Sequence, residues 1–157
     1  MINNQQFREL IIRPSLKPLD LYSEAVEEVL ILVLAQESLG LSYLKQVEGP
    51  ALGPFMMEPA THADLWSNYL ANNKELRYKI LETLNLKLAP TQEMLVYNLK
   101  YATIMARVFF LRIPDPLPLA SDVKALASYW KRFYNTLKGK GTVEEAIGNY
   151  ERFIGKR

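Results

Sequence analysis

Cysteine is absent from this 157-residue chain, and histidine occurs once, at position 62. Without cysteine there are no disulfides and no thiolate metal sites. A single histidine argues against a His-rich zinc site and against a serine–histidine triad. No metal site is therefore predicted.

Long apolar runs and clustered basic residues are also missing. The longest uninterrupted apolar run, Val29 to Ala35, is far shorter than the roughly 18 residues that a membrane-spanning helix needs. The start of the chain, MINNQQFREL, lacks the basic and apolar segments of a signal peptide. The net charge is only +2 and the basic residues are scattered, which argues against nucleic acid as a partner. We expect no integral membrane segment, and synthesis and folding in a cytoplasm.

The composition is that of a globular protein, with 49% hydrophobic and 23% charged residues. The length predicts one domain over residues 1–157. Residues 1–19 contain Pro14 and Pro18 and show no clean periodicity. We predict that they form an N-terminal arm, with at most one short helix, packed on the domain.

Apolar spacing and capping signals predict six or so helices and little strand, hence an all-α or α-dominated α+β fold. The loop over residues 41–60 is rich in glycine and proline and has room for at most a small β wing. The predicted helices run from Asp20 or Ser23 to about Leu39, from Thr61 to Asn72, from Lys74 to about Leu86, from Pro90 to about Ile113, from Ser121 or Asp122 to about Lys138, and from Thr142 onwards.

Glu37 lies at the end of the most apolar of these helices. Val33, Leu30 and Val26 precede it by four, seven and eleven residues and share its stripe. Burial and the negative end of the helix dipole should both raise the pKa of Glu37. A carboxylic acid that is protonated near neutral pH is what glycosidic cleavage requires. The simpler alternative is that Glu37 is the first exposed residue as the helix leaves the core.

Three short motifs resemble those of the lysozyme-like lytic transglycosylases, and phage-encoded members in particular. They are Gln36-Glu37-Ser38, the turn from Gly53 through Phe55 and Met56 to Glu58-Pro59, and Phe133-Tyr134-Asn135. They occur in the family's order, between about Asp20 and Lys138. The resemblance implies a lysozyme-like fold, in which a buried central helix ends in the catalytic glutamate.

The resemblance also implies a function and a set of site residues. Glu37 would protonate the β-1,4 bond between N-acetylmuramic acid and N-acetylglucosamine, and would then act as base on the muramoyl 6-hydroxyl or on water. The sequence does not decide between these transglycosylase and muramidase outcomes. No cofactor is implied. The implied partners are peptidoglycan glycan strands. The protein would be an endolysin or a virion-associated protein, with other virion proteins as further partners in the second case. The implied site of action is the cell wall or periplasm. The candidate substrate-binding residues are Ser38, Gly53, Phe55, Met56, Arg107, Tyr134 and Asn135, of which Ser38 and Tyr134 would orient or tune Glu37. Tyr97 is a further candidate because it lies at the edge of a polar stripe in the helix predicted from Pro90.

Two residues, Met56 and Arg107, depart from the family pattern, and each allows more than one interpretation of the site. Met56 occupies the position of the family's glutamine, and a thioether cannot donate a hydrogen bond to a sugar. Arg107 occupies a glycine position, and a buried arginine needs a carboxylate. Glu58 is either that structural partner or a second catalytic carboxylate, as in two-carboxylate glycosidases.

Two rival functions follow from the same sequence. One is a catalytically inactive lysozyme-like protein that binds glycan or forms part of a virion, for which Met56 is the main argument. The other is a helical interaction module without a sugar site. His62 is expected to occupy the first turn of its helix rather than to contact substrate from a cleft rim.

Overall fold

A computed structural model describes residues 1–136 and 138–155. Helices dominate this part of the chain, which confirms the all-α class. The α-helical segments are α1 (Asn4–Phe7), α2 (Arg13–Leu16), α3 (Glu24–Glu37), α4 (Pro59–Asp64), α5 (Lys74–Thr83), α6 (Met94–Tyr97), α7 (Leu99–Leu111), α8 (Val123–Trp130) and α9 (Val143–Ile154). π-helical turns cover Arg8–Ile12, Leu65–Leu70 and Lys131–Asn135, and a 3₁₀ turn covers Lys17–Leu19.

Helix α3 is the central element of the core. Its residues from Val29 to Ala35 are all buried, as expected of a helix that is apolar on every face, and it packs against α7, α8 and α9. Ser23 is the N-cap, because its side chain accepts a hydrogen bond from the Val26 N–H at 3.1 Å. The helix ends at Glu37, two residues before the predicted end at Leu39.

The predicted N-terminal arm is helical over most of its length, from Asn4 to Leu19. Its two prolines argue against a regular helix, and the chain accommodates them by changing helix type. Pro14 is the second residue of α2, directly after a π-helical turn, and Pro18 lies in the 3₁₀ turn. Phe7, Ile12 and Leu16 are fully buried and join the arm to the core.

A buried ion cluster also ties the arm to α3. The Glu27 carboxylate lies 3.1 Å from Arg8, accepts hydrogen bonds from Arg13 at 2.8 and 2.9 Å, and accepts one from the Tyr22 hydroxyl at 2.9 Å. Burial acts to raise the pKa of Glu27, but the hydrogen bonds from these three residues outweigh it and hold that pKa below its usual range.

A small wing follows α3. It has no long strand; antiparallel bridges join Leu52 to Lys45 on one side and to Met57 on the other. Gly53 follows Leu52 and turns the chain with φ of +80°. A side chain at position 53 would meet the Leu95 carbonyl oxygen of α6 at 2.2 Å. Glycine at this position therefore lets the wing pack directly on α6.

The structure corrects three helix boundaries. The helix expected from Thr61 begins at Pro59, and its N-cap, Glu58, makes no side-chain capping bond. The single long helix expected from Pro90 to Ile113 is divided at Asn98, an extended residue whose side chain accepts from the Tyr101 N–H and caps α7. The helix expected to reach Lys138 becomes a π-helical turn after Trp130, and the predicted end includes Leu137, which lies outside the described residues.

Other start signals are confirmed. Asp122 caps α8 by accepting from the Ala125 N–H. Thr142 and Glu145 form the expected capping box at the start of α9.

Candidate active site

Glu37 is the centre of the candidate site. It is the last residue of α3, is only partly exposed, and accepts a hydrogen bond at 2.8 Å from the indole nitrogen of Trp130, the last residue of α8. Burial raises the pKa of Glu37 to about 7, although the hydrogen bond from Trp130 acts in the opposite direction. The carboxyl group is therefore about half protonated at neutral pH.

Tyr134 connects the Glu37 region to the wing. Its hydroxyl donates a hydrogen bond to the Phe55 carbonyl oxygen at 2.5 Å, and its ring packs against Phe109 and Phe110 with centroid distances of 4.7 and 5.6 Å. Burial, and secondly the charge of Glu37, raise the pKa of Tyr134 well above its usual value. Tyr134 thus contacts Phe55 directly and lies close enough to Glu37 to be affected by its charge, so residues from the three motifs share one region.

The turn from Gly53 to Met57 forms the third part of the site. The Met56 N–H donates to the Gly53 carbonyl at 3.1 Å, and the buried Phe55 ring meets Phe7 edge-on at 6.3 Å. Met56 is partly exposed and has φ of +46°. A left-handed conformation is uncommon for a residue with a side chain and often occurs at functional sites.

Ser38 does not face the site. It is fully buried; its hydroxyl donates to the Leu34 carbonyl at 3.1 Å and accepts from the Leu41 N–H at 3.0 Å. A hydroxyl that is committed to two backbone groups at a helix end shapes the chain that follows Glu37. The expected contact with substrate is therefore replaced by a structural role.

Asn135 lies at the far end of the site. Its side-chain oxygen accepts a hydrogen bond from the Lys131 ammonium at 2.8 Å, and the same ammonium donates to the Gly139 carbonyl at 2.8 Å. Lys131 thus joins the π-helical turn that contains Asn135 to the loop that leads to α9.

The predicted pair of Arg107 and Glu58 is not found among the described residues. Arg107 donates to the Leu21 carbonyl at 2.9 Å, so a backbone oxygen takes the place of the expected carboxylate. Burial lowers the pKa of Arg107. Glu58 is exposed at the N-terminus of α4.

Tyr97, also an expected sugar contact, is 70% exposed at the end of α6. The same short helix carries Leu95, whose carbonyl contacts Gly53. Tyr97 is therefore accessible to a ligand on an element that packs on the wing.

Two groups of residues were not predicted from the sequence. Trp130 was not among the candidate site residues, although it lies four positions before Tyr134 and hence on the same side of a helix. His62 is neither at a rim nor exposed: it is buried, and its Nε2 atom lies 2.6 Å from the Tyr101 hydroxyl, which also accepts from the Trp66 indole at 2.7 Å. Tyr101 and Trp66 carried no signal beyond ordinary core periodicity.

Comparison with protein families, with curated proteins and with solved structures finds no match to this chain. None of the described helices combines the length and apolar character that crossing a bilayer requires. The described residues also contain no group of three or more histidine, cysteine, aspartate or glutamate side chains that is suited to holding a metal ion.

Glu37 gives the folded state a distinct pH dependence. Its pKa is about 7 when folded and about 4.5 when unfolded, so the folded state binds more protons between these values. The free energy of unfolding should fall by at most about 3 kcal/mol as pH rises from about 4.5 to 7. Above pH 7 it should level off. Urea unfolding at pH 5 and pH 8 measures this change. Glu37→Gln should remove most of the difference between the two pH values. If the variant loses as much stability between pH 5 and pH 8 as the wild type, the effect belongs to other groups.

Proposed function

We propose that this chain is a lysozyme-like enzyme that cleaves the glycan strands of peptidoglycan, with Glu37 as general acid and base. One observation supports the proposal above the others: the buried central helix ends in a carboxyl group with a pKa near 7. Its charge acts on Tyr134, which bonds the turn after Gly53 through the Phe55 carbonyl. An acid poised near the working pH is what protonation of a leaving sugar oxygen needs.

In the proposed reaction, Glu37 donates its proton to the oxygen that bridges N-acetylmuramic acid and N-acetylglucosamine, and the bond from that oxygen to the muramoyl anomeric carbon breaks. The Glu37 carboxylate then accepts a proton from the attacking group. If that group is the muramoyl 6-hydroxyl, the product carries a 1,6-anhydro end; if it is water, the product carries a reducing end. Among the described residues no charged side chain shifts the pKa of Glu37, which supports a route through a single carboxylate.

The proposed setting is bacteriophage cell-wall degradation, by an endolysin or a virion-associated muramidase made in the host cytoplasm. Incubation of purified sacculi with the protein, followed by mass spectrometry of the soluble muropeptides, tests both activity and outcome. Anhydro products, lighter by one water than reducing products, would identify a lytic transglycosylase. Absence of any soluble fragment from sacculi of several wall chemotypes would reject the enzymatic proposal.

A second candidate is a catalytically inactive lysozyme-like protein that binds glycan or serves as a virion component. Met56 supports it, since a thioether in the position of an amide removes a sugar hydrogen bond, and the residue is partly exposed in the wing turn. This candidate predicts that the protein sediments with sacculi but releases nothing. Met56→Gln would then be the informative variant, because it restores the donor.

Glu58→Gln is expected to retain cleavage within about twofold of wild type. Glu58 is exposed and makes no ion pair among the described residues, so its main contribution is a carboxylate at a helix N-terminus, worth about 0.3–1 kcal/mol. Rates of muropeptide release for wild type and variant measure this. A loss as complete as that of Glu37→Gln would instead make Glu58 the second catalytic carboxylate.

A further inference from the structure

Trp130 is the only described residue that hydrogen-bonds the Glu37 carboxyl group. Its side chain is fully buried between α3, α8 and α9, yet its one polar atom points at the candidate acid. An indole N–H can donate but cannot accept. Trp130 therefore donates to one oxygen of Glu37 and not to the other. This difference determines which of the two oxygens carries the proton.

The oxygen that accepts from Trp130 is Oε1, at 2.8 Å. In a neutral carboxyl group the carbonyl oxygen is the better acceptor, so the bond favours a proton on Oε2. Oε2 has no hydrogen-bond partner among the described residues, and no polar side-chain atom among them is buried without one. Oε2 is therefore at least partly accessible to solvent.

We propose that Trp130 is a positioning residue, which holds the inner oxygen of Glu37 and so places the acidic proton on the outer oxygen, facing the substrate. The inference rests on the proposed function only in treating Glu37 as the acid. Trp130 touches no reacting atom and acts through Glu37 alone.

Gly141 makes room for this arrangement. A methyl group at position 141 would lie 2.7 Å from Cη2 of Trp130 and 3.1 Å from the side-chain nitrogen of Gln36. The φ of Gly141 is not in the left-handed region, so the space, rather than the backbone conformation, accounts for glycine here. Gly141→Ala should displace the indole from Glu37 without deleting it.

The first test uses the wild-type protein and its two tryptophans. The indole ¹⁵N–¹H signal of Trp130 should follow the ionisation of Glu37, with a midpoint near pH 7. The other ionisable neighbour of Glu37, Tyr134, stays neutral in this range because its pKa is raised. Trp66 shares the Tyr101 hydroxyl with His62, whose pKa burial lowers, so its signal should move below pH 6.5. A Trp130 signal that is silent around pH 7 would overturn the inference.

The second test compares Trp130→Phe with Trp66→Phe, each of which removes one buried indole N–H. Hydrogen bonds to charged groups are the strong ones, so Trp130→Phe should raise the midpoint of the Glu37 carboxyl ¹³C titration by about one to two pH units. The alkaline limb of any cleavage activity should move with it. Trp66→Phe should move neither, and an unchanged Glu37 midpoint in folded Trp130→Phe would contradict the proposal. If Trp130→Phe does not fold, Gly141→Ala takes its place with the same expected direction.

Neither titration needs substrate, so the two proposals fail separately. A Trp130 signal that titrates in a protein that releases no muropeptides would refute the proposed function alone. Cleavage by a protein whose Trp130 signal is silent would refute the positioning role alone.

Discussion

Replacing Glu37 with glutamine is expected to reduce the release of muropeptides by about 10³-fold or more. Glutamine has nearly the same shape as glutamate, and its side-chain oxygen can still accept the hydrogen bond from Trp130. It has no acidic proton to give to the glycosidic oxygen. The rate of fragment release from sacculi at pH 6 measures the loss.

Glu48→Gln is the matched control for this experiment. Glu48 is exposed in the same wing that follows α3, so the substitution removes one negative charge from the wing without touching the buried carboxyl. It should release fragments at the wild-type rate. Equal losses in the two variants would point to a general charge effect on binding to the wall.

Replacing Glu27 with alanine is expected to lower the free energy of unfolding by about 3 kcal/mol. The deletion leaves the buried Arg8 guanidinium with Glu28 as its remaining carboxylate and removes an acceptor of the Tyr22 hydroxyl. Breaking a buried ion pair by removing one partner is costly because the other charge stays buried. Urea denaturation at pH 7 measures the change.

Glu24→Ala is the control for the cluster, since Glu24 is an exposed residue in the first turn of the same helix. It should cost less than about 1 kcal/mol, through the helix dipole alone. The pKa of Glu27 is lowered in the folded state, so its contribution is present above about pH 4.5 and is lost as pH falls through the folded pKa. Destabilisation of similar size in both variants at pH 7 would show that the cluster is not important for stability.

The central helix and its terminal carboxyl could be predicted because the information is local. The run from Val29 to Ala35 is apolar on every face, which predicts that α3 is central, and Glu37 follows at its end. The same holds for the caps at Ser23 and Thr142, where a side chain satisfies an N–H three residues away.

The partners of these residues could not be predicted, because each comes from a distant segment. Trp130 reaches Glu37 across 93 positions, which requires the placement of α8. Arg8 reaches Glu27 from a segment whose prolines suggested an irregular arm. A carboxylate was expected for Arg107 because buried arginines usually have one, but the segment between the arm and α3 supplies the Leu21 carbonyl instead.

The most direct test of the account is the titration of the Glu37 carboxyl carbon in ¹³C-labelled protein, with the signal assigned by its absence in Glu37→Gln. We expect a midpoint near pH 7, because burial outweighs the hydrogen bond from Trp130. A midpoint at or below 4.5 would mean that Glu37 carries no proton at neutral pH, and it would remove the general acid on which the proposed reaction depends.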